Sequence, residues 1–158
     1  MNLFNSSRRV ALAVTALTIL GLGLPAFAAP PLPFKGRANV VVTGQEPLPP
    51  FPPTSVRLTG SATGQATYLG RFTRTETITL NLQTGTFTGT LEFTAANGDK
   101  LTAGISGQFT PDLSAADGTY VFTGGRGRFQ NATGRATFEA KADGAGGFDV
   151  KFNGTIQY

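Results

Sequence analysis

The fold of this chain is decided by the stretch Tyr120-Val-Phe-Thr-Gly-Gly-Arg-Gly-Arg-Phe-Gln-Asn-Ala-Thr-Gly-Arg-Ala-Thr-Phe138. Aromatic and β-branched residues fill its start at Tyr120–Thr123, and polar and apolar residues alternate at its end in Arg135–Phe138, which predicts two β-strands. The middle is rich in glycine, which predicts a tight turn between these strands. Phe129 is the one large apolar residue of that turn, so we expect its ring to be buried and to close one end of the fold.

The same alternation continues through the rest of the chain and is interrupted by glycine turns. It predicts eight antiparallel strands, at roughly 34–43, 55–63, 66–82, 86–95, 100–109, 119–123, 135–142 and 148–156. Turns are expected at Asn97-Gly98, Asp117-Gly118 and Asp143-Gly144. One apolar face per strand predicts an all-β, eight-stranded antiparallel barrel, with a two-sheet sandwich as the alternative. Glycines within strands, such as Gly60 and Gly89, favour the barrel because a small barrel coils sharply.

Residues 1–28 have the pattern of a signal peptide. Two arginines precede an uncharged apolar run at 10–24, and the small residues of Ala26-Phe27-Ala28 predict cleavage after Ala28. That run is shorter than the about 20 residues of a membrane-spanning helix, although an uncleaved anchor is the alternative. Export by the general or the twin-arginine route is left open. We therefore expect a secreted or periplasmic protein without membrane association after cleavage, with a proline-rich leader at 29–33 and a single barrel domain at 34–158.

The composition excludes several classes of functional site. The chain has no His and no Cys, so nucleophilic catalysis by imidazole or thiolate, zinc sites and disulfide bonds are excluded. The acidic residues are scattered and form no calcium-loop pattern, and we predict no metal, no cofactor and no catalytic residues. The signal holds two of the 13 basic and none of the nine acidic residues, which leaves 11 and nine and a net charge of about +2. This small, dispersed charge predicts no nucleic-acid partner.

The segment Glu46-Pro-Leu-Pro-Pro-Phe-Pro-Pro-Thr54 contains five prolines. Proline has no N–H to donate to a sheet ladder. We therefore expect an extended surface loop that crosses one end of the domain. The alternative interpretation is a docking segment for a partner in the cell envelope.

The third predicted strand carries the sharpest functional signal. Strict alternation places one set of side chains on its inner face, namely Tyr68, Phe72, Arg74, Glu76, Ile78, Leu80 and Leu82. Charged groups inside a barrel are costly unless they are paired, and such groups often have a role. We therefore predict that Arg74, Glu76, Tyr68 and Tyr120 bind a ligand. The alternative is a bulge near Gly70 that shifts the register and places both charges in solvent.

The glycine-rich turn is a second candidate site. Gly125, Arg126, Gly127 and Arg128 combine backbone amides with two guanidinium groups, which predicts an anion-binding turn. The alternative is a turn that only positions Phe129 at the end of the barrel. A dinucleotide fingerprint is excluded because the third glycine and the following helix are missing.

Three pieces of the chain carry a family resemblance, and the resemblance covers about residues 34–158. They are Tyr68-Leu-Gly-Arg-Phe-Thr73, Gly85-Thr-Phe-Thr-Gly89 with the following Phe93-Thr-Ala-Ala-Asn-Gly-Asp99, and Thr123-Gly-Gly-Arg-Gly-Arg-Phe-Gln-Asn-Ala-Thr-Gly134. In this order they resemble a group of small exported bacterial proteins. The last piece also resembles the Gly-Gly-Thr-Gly-x-Phe segment of allene oxide cyclase and dirigent barrels, with Arg126 in place of the usual Thr or Ser.

The resemblance implies a barrel whose central cavity binds an apolar or phenoxy-radical intermediate and guides its cyclisation or coupling. No pocket residue of those barrels can be matched to a position in this chain. A shared fold does not imply shared chemistry. The leading hypothesis is therefore a secreted, non-enzymatic β-barrel that binds a small apolar ligand. A cofactor-free isomerase, cyclase or dirigent-like coupling-guiding protein is one alternative, and a structural or interaction module of the envelope is the other.

Overall fold

The computed structural model describes residues 30–158, which form a closed eight-stranded antiparallel β-barrel. The elements are β1 (Leu32–Leu48), β2 (Ser55–Ala66), β3 (Gly70–Asn81), β4 (Thr86–Ala95), β5 (Lys100–Phe109), β6 (Ala115–Arg126), a 3-10 helix (Gly127–Phe129), β7 (Thr133–Ala142) and β8 (Gly147–Gln157). The prediction of an all-β barrel is confirmed, and the sandwich alternative is wrong because β8 pairs back onto β1. The predicted signal peptide lies outside the described residues. No helix in the described part of the chain has the length and apolar character needed to cross a membrane.

Each strand pairs with its neighbours in sequence, so the chain winds up and down around the barrel. The turns β2–β3, β4–β5 and β6–β7 lie at one end, together with the start of β1 and the end of β8. We call this the plugged end. The other four turns lie at the opposite end, which we call the mouth.

Aromatic rings fill the interior near the plugged end. The Phe34 ring packs edge-on against Phe122, with the centroids 4.9 Å apart, and stacks on Phe152 at 5.4 Å. Gly36 lies directly beneath one of these rings, and an added Cβ there would be 2.4 Å from Phe152 Cζ. Bare backbone at such positions lets large rings fit inside a narrow barrel. This half of the barrel is therefore a packed core.

The glycine-rich turn closes the plugged end as predicted. Phe129 lies in the 3-10 helix and has no exposed surface. Its ring contacts that of Tyr158, with the centroids 4.9 Å apart. The ring therefore acts as a plug between the β6–β7 turn and the end of β8.

The predicted third strand, 66–82, is wrong at its start. β2 continues to Ala66, and β3 begins only at Gly70. The intervening turn is held by a hydrogen bond from the Thr67 N–H to the Lys35 carbonyl of β1, at 2.9 Å. Tyr68 lies in this turn with φ 65°, so the prediction that it shares the inner face of β3 is wrong.

The same strand also ends earlier than predicted. β3 stops at Asn81, and the Asn81 side chain accepts hydrogen bonds from the backbone N–H groups of Gln83 and Thr84. These bonds turn the chain at once into β4. Leu82 is consequently 52% exposed rather than inward-facing.

The sixth strand is longer than predicted, and the turn expected at Asp117-Gly118 does not exist. Both residues lie within β6 and pair with Gln108 and Gly107 of β5. A Cβ at Gly118 would be 2.2 Å from the Ser106 carbonyl oxygen. This glycine therefore allows a close approach of two strands. In the sequence, an Asp-Gly pair with this role looks the same as an Asp-Gly pair that forms a turn.

The proline-rich segment, 46–54, is only partly a loop. β1 continues to Leu48, and Pro47 is opposite Val56 of β2. Pairing between β1 and β8 ends at Val41, so the other edge of β1 is unpaired beyond that point and a missing N–H costs no ladder bond. The remaining loop presents Phe51, which is 72% exposed.

Candidate functional site

A small cavity of about 50 Å³ lies in the mouth half of the barrel. Its walls are apolar and its deepest residues are polar. The apolar lining comes from Val40, Ile78, Phe87, Ile105, Phe109, Ala116, Phe138, Ala140, Phe148 and Val150. The polar lining comes from Arg74, Glu76 and Tyr120.

The three polar side chains form one connected group. Arg74 Nη2 lies 2.6 Å from Glu76 Oε2, and Arg74 Nη1 donates a hydrogen bond of 2.9 Å to the Tyr120 hydroxyl. Arg74 is 3% exposed, whereas 13% of the Glu76 side chain reaches solvent. The Arg74 guanidinium also lies 5.8 Å from the centroid of the Tyr120 ring. The alternative of a register shift that places both charges in solvent is therefore wrong.

Small residues on β2 make room for the charged pair on β3. Arg74 and Glu76 are two positions apart, so both point inward. Gly60 is directly opposite Glu76, and Ala62 is directly opposite Arg74. A Cβ at Gly60 would already be 3.0 Å from Glu76 Oε1. The sequence indicated Gly60 only as a glycine that allows sharp coiling of the barrel. Its role in making room for Glu76 depends on the pairing register of β2 and β3.

Two atoms of the group lack hydrogen-bond partners. Glu76 Oε2 and Arg74 Nε are buried and form no hydrogen bond among the described residues. The short contact between Glu76 Oε2 and Arg74 Nη2 is therefore an ion pair without hydrogen-bond geometry. Buried polar atoms without a partner are uncommon. The polar group thus keeps one acceptor atom and one donor atom whose hydrogen-bonding capacity the protein leaves unused.

The electrostatic environment keeps Tyr120 protonated. Burial raises the pKa of the Tyr120 hydroxyl, the Arg74 charge acts in the opposite direction, and the Glu76 charge adds to the increase. Burial has the largest effect because it penalises the phenolate. The hydroxyl accepts from Arg74, so its own proton remains available for an acceptor on a ligand.

Three of the four predicted ligand-binding residues therefore come together at the cavity floor. Tyr68 does not join them, because it lies at the plugged end, where its ring centroid is 5.8 Å from that of Tyr158. Two rings that narrow the mouth were not predicted as site residues. Phe109 and Phe148 are only partly buried, and their centroids are 5.7 Å apart.

The predicted anion-binding turn already has an anion from the protein itself. Arg128 Nε lies 3.3 Å from Asp99 Oδ2, and the same guanidinium donates to the Tyr68 carbonyl oxygen. Gly127 has φ 65°, and an added Cβ there would overlap the Asp99 carboxylate. Arg128 therefore joins three turns at the plugged end. The Arg126 side chain is exposed and takes part in no ion pair of the described residues. Gly125 lies in β6 and is opposite Leu101 of β5.

Comparisons with known proteins do not add to this geometry. No protein-family model matches the chain, and no curated protein matches it in sequence. Within residues 30–158, no three acidic side chains come close enough to hold a metal ion. The arrangement at the cavity floor can donate and accept hydrogen bonds next to an apolar wall, and the functional argument depends on this property.

Proposed function

We propose that this protein is an exported, non-enzymatic β-barrel that binds a small, mainly apolar molecule by its polar end in the mouth cavity. The observation that carries the proposal is the buried Arg74–Glu76 ion pair at the cavity floor, in which Glu76 Oε2 and Arg74 Nε form no hydrogen bond. A ligand hydroxyl would donate to the carboxylate and accept from the guanidinium. Its apolar part would lie against the Phe109 and Phe148 rings. The closed barrel with interior polar groups also supports the proposed kinship with allene oxide cyclase and dirigent barrels.

The size of the cavity limits the part of the ligand that enters. A volume of about 50 Å³ is small compared with the roughly 300–1,000 Å³ of pockets that enclose drug-sized ligands. Only a polar terminus and the adjoining carbon atoms fit between the rings. The rest of the molecule must remain at the mouth, where the two half-buried phenylalanine rings provide an apolar surface.

The experiment is an NMR titration with two matched probes, benzyl alcohol and toluene. Benzyl alcohol should give saturable shifts at the amides of Arg74, Glu76 and Tyr120. Toluene has the same ring but no hydroxyl, so its dissociation constant should be about tenfold weaker, because one hydrogen bond to a charged group is lost.

Three variants control the titration. Glu76→Gln should weaken benzyl alcohol and leave toluene unchanged. Glu92→Gln is the matched control, because Glu92 pairs with Lys100 away from the cavity, and it should change neither probe. Ala140→Leu should block both probes by filling the cavity. The proposal is wrong if the two probes bind equally, or if Glu76→Gln and Glu92→Gln have the same effect.

A cofactor-free isomerase is the second candidate, favoured by a carboxylate and a protonated phenol that line the same cavity. Glu76 would then take a proton from carbon, while Tyr120 would donate a hydrogen bond to a carbonyl oxygen. Acetophenone in D₂O provides the test. Protein-dependent deuterium exchange at its methyl group, abolished in Glu76→Gln, would establish this activity. If acetophenone binds but no exchange occurs, the protein binds the molecule without catalysing this step.

A further inference from the structure

A wide concave surface lies on the outer wall of the barrel, away from the mouth cavity. It is a groove of about 860 Å³ that crosses β8, β1, β2, β3 and β4. Its volume lies within the roughly 300–1,000 Å³ of ligand pockets. The outward-facing side chains that line it are Arg37, Asn39, Thr63, Gln65, Arg71, Thr73, Thr94, Asp149 and Lys151.

Three cations form a row along this groove. Lys151 is directly opposite Arg37, Arg37 is opposite Gln65, and Gln65 is opposite Arg71. Neighbouring strands are about 4.8 Å apart, so the row extends over roughly 14 Å from Lys151 to Arg71. It runs perpendicular to the strands and therefore along the groove.

The three cations of this row form no ion pair within residues 30–158. Glu139 is opposite Lys151 on the β7 side, but the two charges are not in contact. Like charges directly opposite each other on neighbouring strands are destabilising. The Arg37–Lys151 pair therefore carries a cost that an anion in the groove would remove.

One carboxylate limits the site. Asp149 lies one row nearer the mouth and accepts a hydrogen bond of 3.3 Å from Asn39 Nδ2. The same amide donates to Asp143 at 3.0 Å. The negative charge is thus confined to one border of the groove, and the cation row lies beside neutral amide and hydroxyl groups.

We infer that this groove binds an extended polysaccharide chain that carries carboxylates. The arginines match carboxylates because their planar groups form paired hydrogen bonds with them. Gln65, Thr63 and Thr73 lie between or beside the cations and match sugar hydroxyls. A flat bilayer cannot enter a concave wall, and the lining has no exposed aromatic ring on which nucleic-acid bases could stack.

The test measures binding of oligogalacturonate to the barrel by calorimetry at low salt. Arg37→Gln and Arg71→Gln should each raise the dissociation constant about tenfold, because each removes a charge-assisted contact. Arg135→Gln is the matched control, since Arg135 is exposed on the outer face of β7, outside the groove. It causes the same change in net charge and should alter binding less than twofold. Asp149→Asn should strengthen binding, because it removes the repulsive charge.

Several results would overturn the inference. They are no binding of oligogalacturonate at low salt, an equal loss in Arg135→Gln, or equal binding of neutral dextran oligomers. Poly-glutamate that binds as tightly, with the same dependence on Arg37, would identify an acidic peptide site instead. Each of these outcomes is independent of the mouth cavity, because the groove variants leave the barrel interior unchanged.

Discussion

Removing one member of the Arg74–Glu76 pair should destabilise the barrel more than removing both. Glu76→Leu leaves the Arg74 guanidinium buried, and an arginine cannot lose its charge in a protein. Breaking a buried pair costs about 3–5 kcal/mol, and we expect the upper end for this variant. Arg74→Met should lie near the lower end, about 3 kcal/mol, because Glu76 is partly exposed to the cavity.

The double variant Arg74→Met/Glu76→Leu removes both charges and keeps much of their volume. The remaining penalty is the Tyr120 hydroxyl, which loses its donor at a cost of about 1–3 kcal/mol. The free energies of unfolding should therefore be non-additive by at least about 3 kcal/mol, at the upper limit of coupling between contacting residues.

Urea denaturation of the four proteins measures this coupling from the midpoints, provided that the slopes are equal. Far-UV circular dichroism checks that each variant retains the barrel. The reasoning is refuted if all three variants lie within about 0.5 kcal/mol of the parent, as surface changes do. It is also refuted if the two single effects simply add.

The other predictions concern the Phe129 plug, the turn that contains Asp112, and the signal peptide. Phe129→Ala should lower the free energy of unfolding by about 3–5 kcal/mol, because the ring has no exposed surface; a loss below about 1 kcal/mol in urea denaturation would contradict its role as a plug. Hydrogen bonds from the Thr110 and Ser114 side chains lower the pKa of Asp112 to about 2, so this turn should contribute stability above the unfolded pKa of about 3.8 and lose it as the pH falls towards 2. Carbon-13 NMR of the carboxyl group measures this midpoint, and an ordinary midpoint would contradict the hydrogen-bonded turn. Intact mass analysis of the exported protein should show cleavage after Ala28, and a mass that includes residues 1–28 would contradict the signal peptide.

The sequence predicted the barrel and the inner position of the charged pair because both depend on the period of two along a strand. Arg74 and Glu76 are part of β3 whether it starts at position 66 or at position 70. The burial of Phe129 could likewise be predicted, because a single large apolar ring in a polar turn is stabilised by packing against the barrel end. These predictions depend on local patterns that tertiary packing does not change.

The wrong predictions concern residues whose conformation depends on contacts with a neighbouring strand or turn. Strict alternation predicted Tyr68 within the third strand, but the turn that contains it is held by contacts with β1 and Arg128. Gly118 was placed in a turn because glycine serves both turns and close strand approach. Pro47 was excluded from a strand although β1 has a free edge there. None of these partners is visible in a short sequence window.

The pairing register of β3 determines both proposed sites at once. Arg74 and Glu76 face the cavity, whereas Arg71 and Thr73 face the outer groove. A slip of one residue would exchange the two faces and place Arg71 inside, where no carboxylate is opposite. Burial of Phe72, Ile78 and Leu80 opposes this slip, and Gly60 leaves space for Glu76 in the observed register. The interior pair and the outer cation row are therefore separate in chemistry, but they depend on the same strand pairing.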